Sequence, residues 1–253
     1  MTDIARMENL RHRATITSRR EDARDTFEVT FEVEGGLRYE AGQYLWLIFP
    51  TLIANDPRGS RRAFSICNPP SVEGLTREVV ILFRNSESGF KQTLIRAPIG
   101  ESVFIEAPFG SAFVLSPELR SYRSPTNEQG RVVLIAGGVG ISCFLAHLRS
   151  SDIVSSHVVS ALVYFNTSLD RACFMGELQA ITSASHIAFH NALGDFKPEY
   201  IFKDIDVARD QFFICGPQGF VDAIYLALLV LGVSEDRMVF EENRPSTPTT
   251  FTV

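Results

Sequence analysis

The hydrophobic pattern of this chain changes period partway along it, and that change limits the folds open to it. Up to about Leu115 apolar and polar residues alternate. Phe27, Val29, Phe31 and Val33 interleave with Glu28, Thr30 and Glu32, the period of a strand with one buried face. Gly42–Pro50, Glu78–Arg84 and Glu101–Glu106 read as further short strands bounded by Gly, Pro or Asn. A helix is predicted over Gly89–Arg96, where Phe90 and Leu94 share a face. Many short strands with little helix predict an antiparallel β-barrel.

The pattern beyond Gly130 is different. Arg131–Ala136 is continuously apolar, then come glycines and a helix over Ile141–Ser150. The strand His157–Phe165 precedes a helix near Phe174–Thr182, Gln211–Cys215 precedes a helix over Phe220–Leu231, and Met238–Glu241 reads as a last strand. Apolar strands alternating with helices predict a parallel sheet covered on both faces. Between the two patterns, Ser116–Gly130 is polar and carries Pro117 and Pro125, the composition of a linker. The expected organisation is a β-barrel domain over 10–118, a linker over 119–130, an α/β domain over 131–243 and a tail over 244–253, rich in Pro and Thr.

A chain of 253 residues, 45% hydrophobic and 21% charged, is long enough to fill two cores. Its net charge of -6 and the lack of a basic stripe with interleaved aromatics speak against a nucleic-acid partner. The longest apolar run, Val221–Val233, is interrupted by Asp222 and Gly232. It is too short to span a bilayer and reads as a buried helix. Met1–Arg6 has no apolar core of a signal peptide, so a cytoplasmic setting is expected. Cys67, Cys143, Cys173 and Cys215 form no CxxC pair. That spacing argues against an iron–sulfur or zinc site, leaves a disulfide open and predicts no metal.

Three short stretches carry the chemistry. Gly137, Gly138 and Gly140 follow an apolar strand and precede a helix. Such a turn lets backbone N–H groups approach a pyrophosphate, although a tight turn alone explains the glycines equally well and the spacing is not GxGxxG. Cys215-Gly216-Pro217 also ends a strand and opens a helix, so it faces the same crevice beyond the strands' carboxyl ends. In Arg62-Ala63-Phe64-Ser65, Phe64 points away from Ala63 and Ser65 if the segment is a strand. Phe64 can then stack on a flat heterocycle, with Ser65 bonding it and Arg62 on phosphate. An ordinary strand with a core Phe and a surface Arg fits these four residues as well.

From about Arg13 to Glu242 the chain resembles the ferredoxin–NADP reductase superfamily of flavin-dependent NAD(P)H oxidoreductases. Arg62-Ala63-Phe64-Ser65 resembles the family's Arg-x-Tyr-Ser. Gly137 to Cys143 resembles its glycine-rich nicotinamide loop, and Cys215-Gly216-Pro217 its Cys-Gly-Pro. Gly42-Gln43-Tyr44, Gly89-Phe90-Lys91 and Pro108-Phe109-Gly110 are supporting matches.

The resemblance implies bound FAD, with FMN open, and NADH or NADPH as donor. It implies that Phe64 and Ser65 lie against the flavin ring, with Ala63 beside them. Arg62 would meet the flavin pyrophosphate, Arg84 would line the nucleotide end, and Gly89, Phe90 and Lys91 would open the helix that faces the pyrophosphate. Gly137, Gly138, Gly140, Ser142, Gly216 and Pro217 would meet the nicotinamide nucleotide, and Cys215 the hydride-donating carbon. Glu241 or Glu242 is either a proton relay or a solvated acid. The chain departs from the family at Phe64 (usually Tyr), Ser142-Cys143 (usually Thr-Pro) and Asn243 (often aromatic), where Phe251 is a possible substitute. Asn166-Thr167-Ser168 offers no Arg for a 2′-phosphate, although Arg171 is near, so NADH is favoured.

The activity implied is hydride transfer from NAD(P)H to bound FAD and then electron transfer to a separate acceptor, such as a ferredoxin or an oxygenase component. The alternatives are an NAD(P)H:free-flavin reductase, or a non-catalytic regulatory or assembly subunit that keeps the fold. Arg58, Arg61 and Arg62 form a basic cluster that is either a solvated loop or a dock for an acidic partner.

Overall fold

A computed structural model describes residues 11–116, 119, 130–194 and 205–241. The first half is a six-stranded antiparallel sheet. It comprises β1 (Arg11–Ala23), β2 (Thr26–Leu37), β3 (Tyr44–Ile48), β4 (Arg61–Ser65), β5 (Thr76–Arg84) and β6 (Ser102–Phe109), in the order β4-β3-β6-β1-β2-β5. Its ends are joined where Cys67 N donates to Val80 O at 2.8 Å and Val80 N donates to Asn68 Oδ1 at 2.9 Å, which curls the sheet into a barrel. Alternation sets the faces: Leu45 and Leu47 are fully buried, while Tyr44, Trp46 and Ile48, which alternate with them, are only partly so.

Helix α1 (Gly89–Arg96) has the ends the sequence predicts. Ser88 caps it by accepting from Lys91 N, and Phe90 and Leu94 are fully buried in the barrel core. At its other end Arg19 Nη1 donates to Leu94 O at 3.1 Å and Ala97 O at 2.7 Å. That places a cation where the helix carbonyls are unpaired. Two of the supporting motifs meet here as well. Gln43 Nε2 donates to Gly110 O at 3.0 Å, and the Tyr44 and Phe109 rings stack at 5.9 Å.

The second half is a parallel sheet of β7 (Val132–Gly137), β8 (Val159–Asn166), β9 (Ala188–Leu193), β10 (Gln211–Cys215) and β11 (Met238–Phe240), in the order β11-β10-β7-β8-β9. Every residue of β7 and β8 is buried, as continuous apolar strands require when both faces are covered. One face carries α2 (Ser142–Leu148) and α4 (Met175–Ser183), with α3 (Ser151–Ser155) following α2; the other carries α5 (Gln218–Val230). The apolar run read as a buried helix is buried along one stripe only. Val221, Ile224 and Leu228 face the sheet, while Leu226 and Val230 are 46% and 88% exposed.

Two strands have no clear trace in the sequence. β1 is rich in Arg and buries only Ala14 and Ile16, so pairing with β2 and β6, rather than its pattern, makes it a strand. β9 is an edge strand whose AFHNAL sequence buries only Ala192.

The halves are tied together by polar contacts. Arg149 Nη2 donates to Glu28 of the barrel at 3.0 Å, and its Nε to Glu177 of α4 at 2.7 Å. Phe174 N donates to Asp22 Oδ2 at 2.6 Å, and Arg24 pairs with Asp170 at 2.9 Å. The predicted linker lies almost wholly outside the described residues, as do Glu242, Asn243 and the tail with Phe251.

Candidate functional site

The parallel sheet reverses its winding between β7 and β10, and the carboxyl ends of those strands open onto a crevice. The glycines at this crevice divide into two kinds. A Cβ on Gly140 would lie 2.4 Å from Cys215 O, one on Gly137 2.7 Å from the Phe220 ring, and one on Gly216 2.6 Å from that same ring. These three make room for the protein's own packing, which holds the two strand ends against each other. Gly138 is different. Its φ is +54° and an added Cβ would meet only Arg84, at 3.6 Å, so the turn offers its open side at Gly138. Beyond the crevice, Ser142 opens α2 and is buried, while Pro217 precedes α5 with an extended backbone.

Across the groove stands the barrel. The β3–β4 register puts Arg62 and Phe64 on the side of Leu47 and Leu45, and Ala63 and Ser65 on the other. Phe64 is partly buried, with its ring 6.2 Å from Phe83 and 6.0 Å from Phe90. Arg62 is 7% exposed. Its Nη1 donates to the carbonyls of Arg58, Gly59 and Arg61 at 2.8, 3.0 and 2.7 Å, and its Nη2 binds Asp56 Oδ1. Asp56 Oδ2 accepts from Phe90 N at 3.0 Å, in the first turn of α1. The backbone N–H groups of Phe90 and Arg58, and then Arg62, hold this carboxyl below the usual carboxylate range. Gly89 is needed for the fit, because a Cβ there would lie 2.4 Å from Ala54 O. No local pattern marks Asp56; its role depends on a loop folding back onto a helix start.

The guanidinium that does reach the groove is that of Arg84. Its Nε donates to Thr26 Oγ1 at 3.2 Å and its Nη2 to Arg171 O at 3.2 Å, across the two halves. Nη1 is left beside Gly138. Lys91 lies close enough to Arg58, Arg62 and Arg84 that burial first, and then these cations, lowers its pKa. Arg58, Arg62 and Arg84 lie close enough to Lys91 to act on its charge, so positive charge gathers near the start of α1. That charge favours a phosphate or pyrophosphate there.

Between the two sides lies a cluster of sulfur and oxygen atoms. Ser65 Oγ is 3.1 Å from Cys143 Sγ, which is 2.8 Å from Cys215 Sγ. Glu241 Oε2 lies 3.8 Å from the first sulfur and 3.7 Å from the second. The Cys143 hydrogen bond and burial push the Cys215 thiol well above its ordinary pKa. The structure thus brings Ser65, Cys143, Cys215 and Glu241 to one point. Cys143 and Cys215 are 72 residues apart in sequence, and nothing local to either marks them as a pair.

A barrel with a capping helix, a parallel sheet with a glycine turn at its switch point, and a groove between them form a recognisable combination. The ferredoxin–NADP reductase of Neisseria gonorrhoeae, solved with bound FAD and NADP, superposes with a TM-score of 0.73 over 92% of this chain and 98% of that one, at 16% identity. The chain has the fold of that reductase. Two curated relatives match in sequence. The phthalate dioxygenase reductase of Burkholderia cepacia is 26% identical over 223 residues, covering 84% of this chain and 62% of that protein. The carnitine monooxygenase reductase subunit of Escherichia coli (strain K12) is 24% identical over 182 residues, covering 71% of this chain and 52% of that protein. The chain therefore spans only about half to three-fifths of the length of these relatives. No family model matches the chain.

Proposed function

We propose that this chain takes a hydride from NAD(P)H onto bound FAD and passes electrons on to a separate acceptor protein. One observation carries this reading. Arg84, which with Lys91 forms the cationic seat, stands beside the open turn at Gly138, and Ser65, Cys143 and Cys215 meet where the barrel packs on the sheet. Two dinucleotides laid along those two seats would have their reactive rings meet at the sulfur cluster.

FAD supplies the redox chemistry when bound, exchanging electrons as a pair or singly. The chain's own residues orient and exclude water. Arg84 and Lys91 anchor phosphate oxygens, Phe64 offers a ring face, and Ser65 Oγ offers a hydrogen bond to the flavin ring edge. Gly138 and Ser142 would seat the nicotinamide nucleotide, with the Cys215 side chain beside its ring. Holding two rings at near-attack distance contributes several kcal/mol in intramolecular models, roughly 7–11 at best. Arg62, locked to Asp56, acts by holding the start of α1 in place.

NADH is the favoured donor in this reading. Asp170, paired with Arg24 and hydrogen-bonded to Ser168, puts a carboxylate near the end of β8 where a 2′-phosphate would need a cation. The relatives' names place them beside oxygenases, so an oxygenase component or a ferredoxin is the acceptor we propose. No helix among the described residues is long and apolar enough to cross a membrane.

The test is anaerobic mixing of the flavin-loaded protein with NADH or NADPH while the visible flavin band is followed. Rapid bleaching by NADH, with a lower kcat/KM for NADPH, is expected. Flavin that stays oxidised with both nucleotides would leave only a non-catalytic role. Flavin that bleaches but leaves the protein on gel filtration would make it a reductase of free flavin.

A further inference from the structure

We propose that Cys143 and Cys215 form a reversible disulfide, an oxidative switch set at the meeting point of the two dinucleotide seats. The pairing chemistry is independent of the function proposed above; only the loss of turnover rests on it.

The sulfurs are already closer than two thiols in ordinary contact, at 2.8 Å, and a disulfide needs them at about 2.05 Å. Each sits on a fixed element: Cys143 in the first turn of α2, Cys215 at the last position of β10. Gly140 packs directly on the Cys215 carbonyl, so the turn before α2 sits against the end of β10. Neither thiol is free of company. Ser65 Oγ lies on Cys143, and the Glu241 carboxylate lies within 3.8 Å of both sulfurs. A carboxylate beside a dithiol can take the proton of the attacking thiol, and a hydroxyl can donate to the thiolate that results. The Ser65 hydroxyl lies on Cys143, where it can donate to a thiolate, and this contact assigns the first attack to Cys143.

The oxidant is a small hydroperoxide, a class of molecule small enough to reach buried thiols. Cys143 sulfur attacks the peroxide, the O–O bond breaks, and a sulfenic acid and one water form. Its thiol proton passes through Glu241. Cys215 sulfur then attacks the sulfenic sulfur, the S–O bond breaks, and a second water leaves with the Cys215 proton. In sum, two thiols and one hydrogen peroxide give one disulfide and two waters. A dithiol reductant reverses the change. Closing the bond ties α2 to the end of β10 around Gly138, and it fixes the Cys215 side chain away from any nicotinamide ring.

The experiment treats the full chain with hydrogen peroxide, with and without bound flavin, and measures intact mass and a non-reducing peptide map. The expected result is a loss of about 2 Da, a peptide linking Cys143 to Cys215, and recovery of the original mass with dithiothreitol. C143S should show no linked peptide. The peptide map of the wild-type protein decides the matter even if that variant fails to fold. In the loaded protein, NADH bleaching of the flavin should slow at least tenfold on oxidation and return on reduction. Sulfinic acid on either cysteine without cross-linking, or a link through Cys67 instead, would overturn the proposal. So would one equivalent of zinc that survives dialysis and shields both thiols, since Cys143, Cys215 and Glu241 would then be a metal site. A cross-link that forms while the flavin never responds to nicotinamide would refute the proposed function and leave the switch chemistry standing.

Discussion

Replacing Gly140 with alanine tests whether the close approach of two strand ends sets the geometry of the groove. The new Cβ would lie 2.4 Å from Cys215 O, 2.6 Å from its carbonyl carbon and 2.9 Å from Gly216 Cα. All three are backbone atoms, so no side-chain rotation relieves the contact. Ordinary contact begins at 3.4 Å, and the turn must therefore move by about 1 Å. Overpacking of this kind costs about 2 kcal/mol, which for a chain of this size lowers Tm by about 4–8 °C. The same displacement shifts Cys215 relative to Ser65. A misplacement of about 1 Å at reacting groups costs roughly 100-fold in rate. Gly138→Ala is the control. Its Cβ touches only the end of a flexible arginine, and its left-handed backbone costs about 1 kcal/mol. The assays are thermal unfolding and anaerobic bleaching of flavin by NADH. A G140A protein that melts within a degree of wild type and transfers hydride at the normal rate would refute the packing argument, as would a larger stability loss in G138A.

Two further outcomes follow from the charges. Lys91→Met and Arg84→Met should each weaken FAD binding about tenfold and flatten its salt dependence, because each removes one cation from the phosphate seat. Fluorescence titration at two ionic strengths checks this, and unchanged affinity in both variants would remove the seat. For Asp56 the sign is set by a folded pKa below the unfolded one. Its stabilisation is fully present above the unfolded value of about 3.9 and is lost as pH falls through the folded value. Acid unfolding of D56N should therefore be flatter than wild type below about pH 4, starting from lower stability at neutral pH. Parallel curves would show that Asp56 contributes nothing to folding.

The parts of this molecule that were legible in sequence are those decided by near neighbours. α1 and β10 have the ends read from the chain, because Ser88 caps the helix, Phe90 and Leu94 are spaced to share a face, and Gly216-Pro217 stops the strand. The change of hydrophobic period located both halves, since each period reports how many faces of a strand are covered. β1 and β9 escaped because their pairing partners, not their own residues, make them strands. The groove was only half visible. Ser65 lies beside Cys143 and Gly138 beside Arg84, whereas Arg62 is turned inward by Asp56, which no motif contains.

The contacts that decide the chemistry are long-range. Ser65 meets Cys143 across 78 residues, Cys143 meets Cys215 across 72, and Cys215 meets Glu241 across 26. The sequence by itself determined a barrel followed by a parallel sheet, because period and turn chemistry act over a few residues. Only the tertiary structure brought two thiols, a hydroxyl and a carboxylate to one point. Their distances are set by how the strand ends pack on one another and how the barrel docks on the sheet, and neither is encoded in any local run of residues.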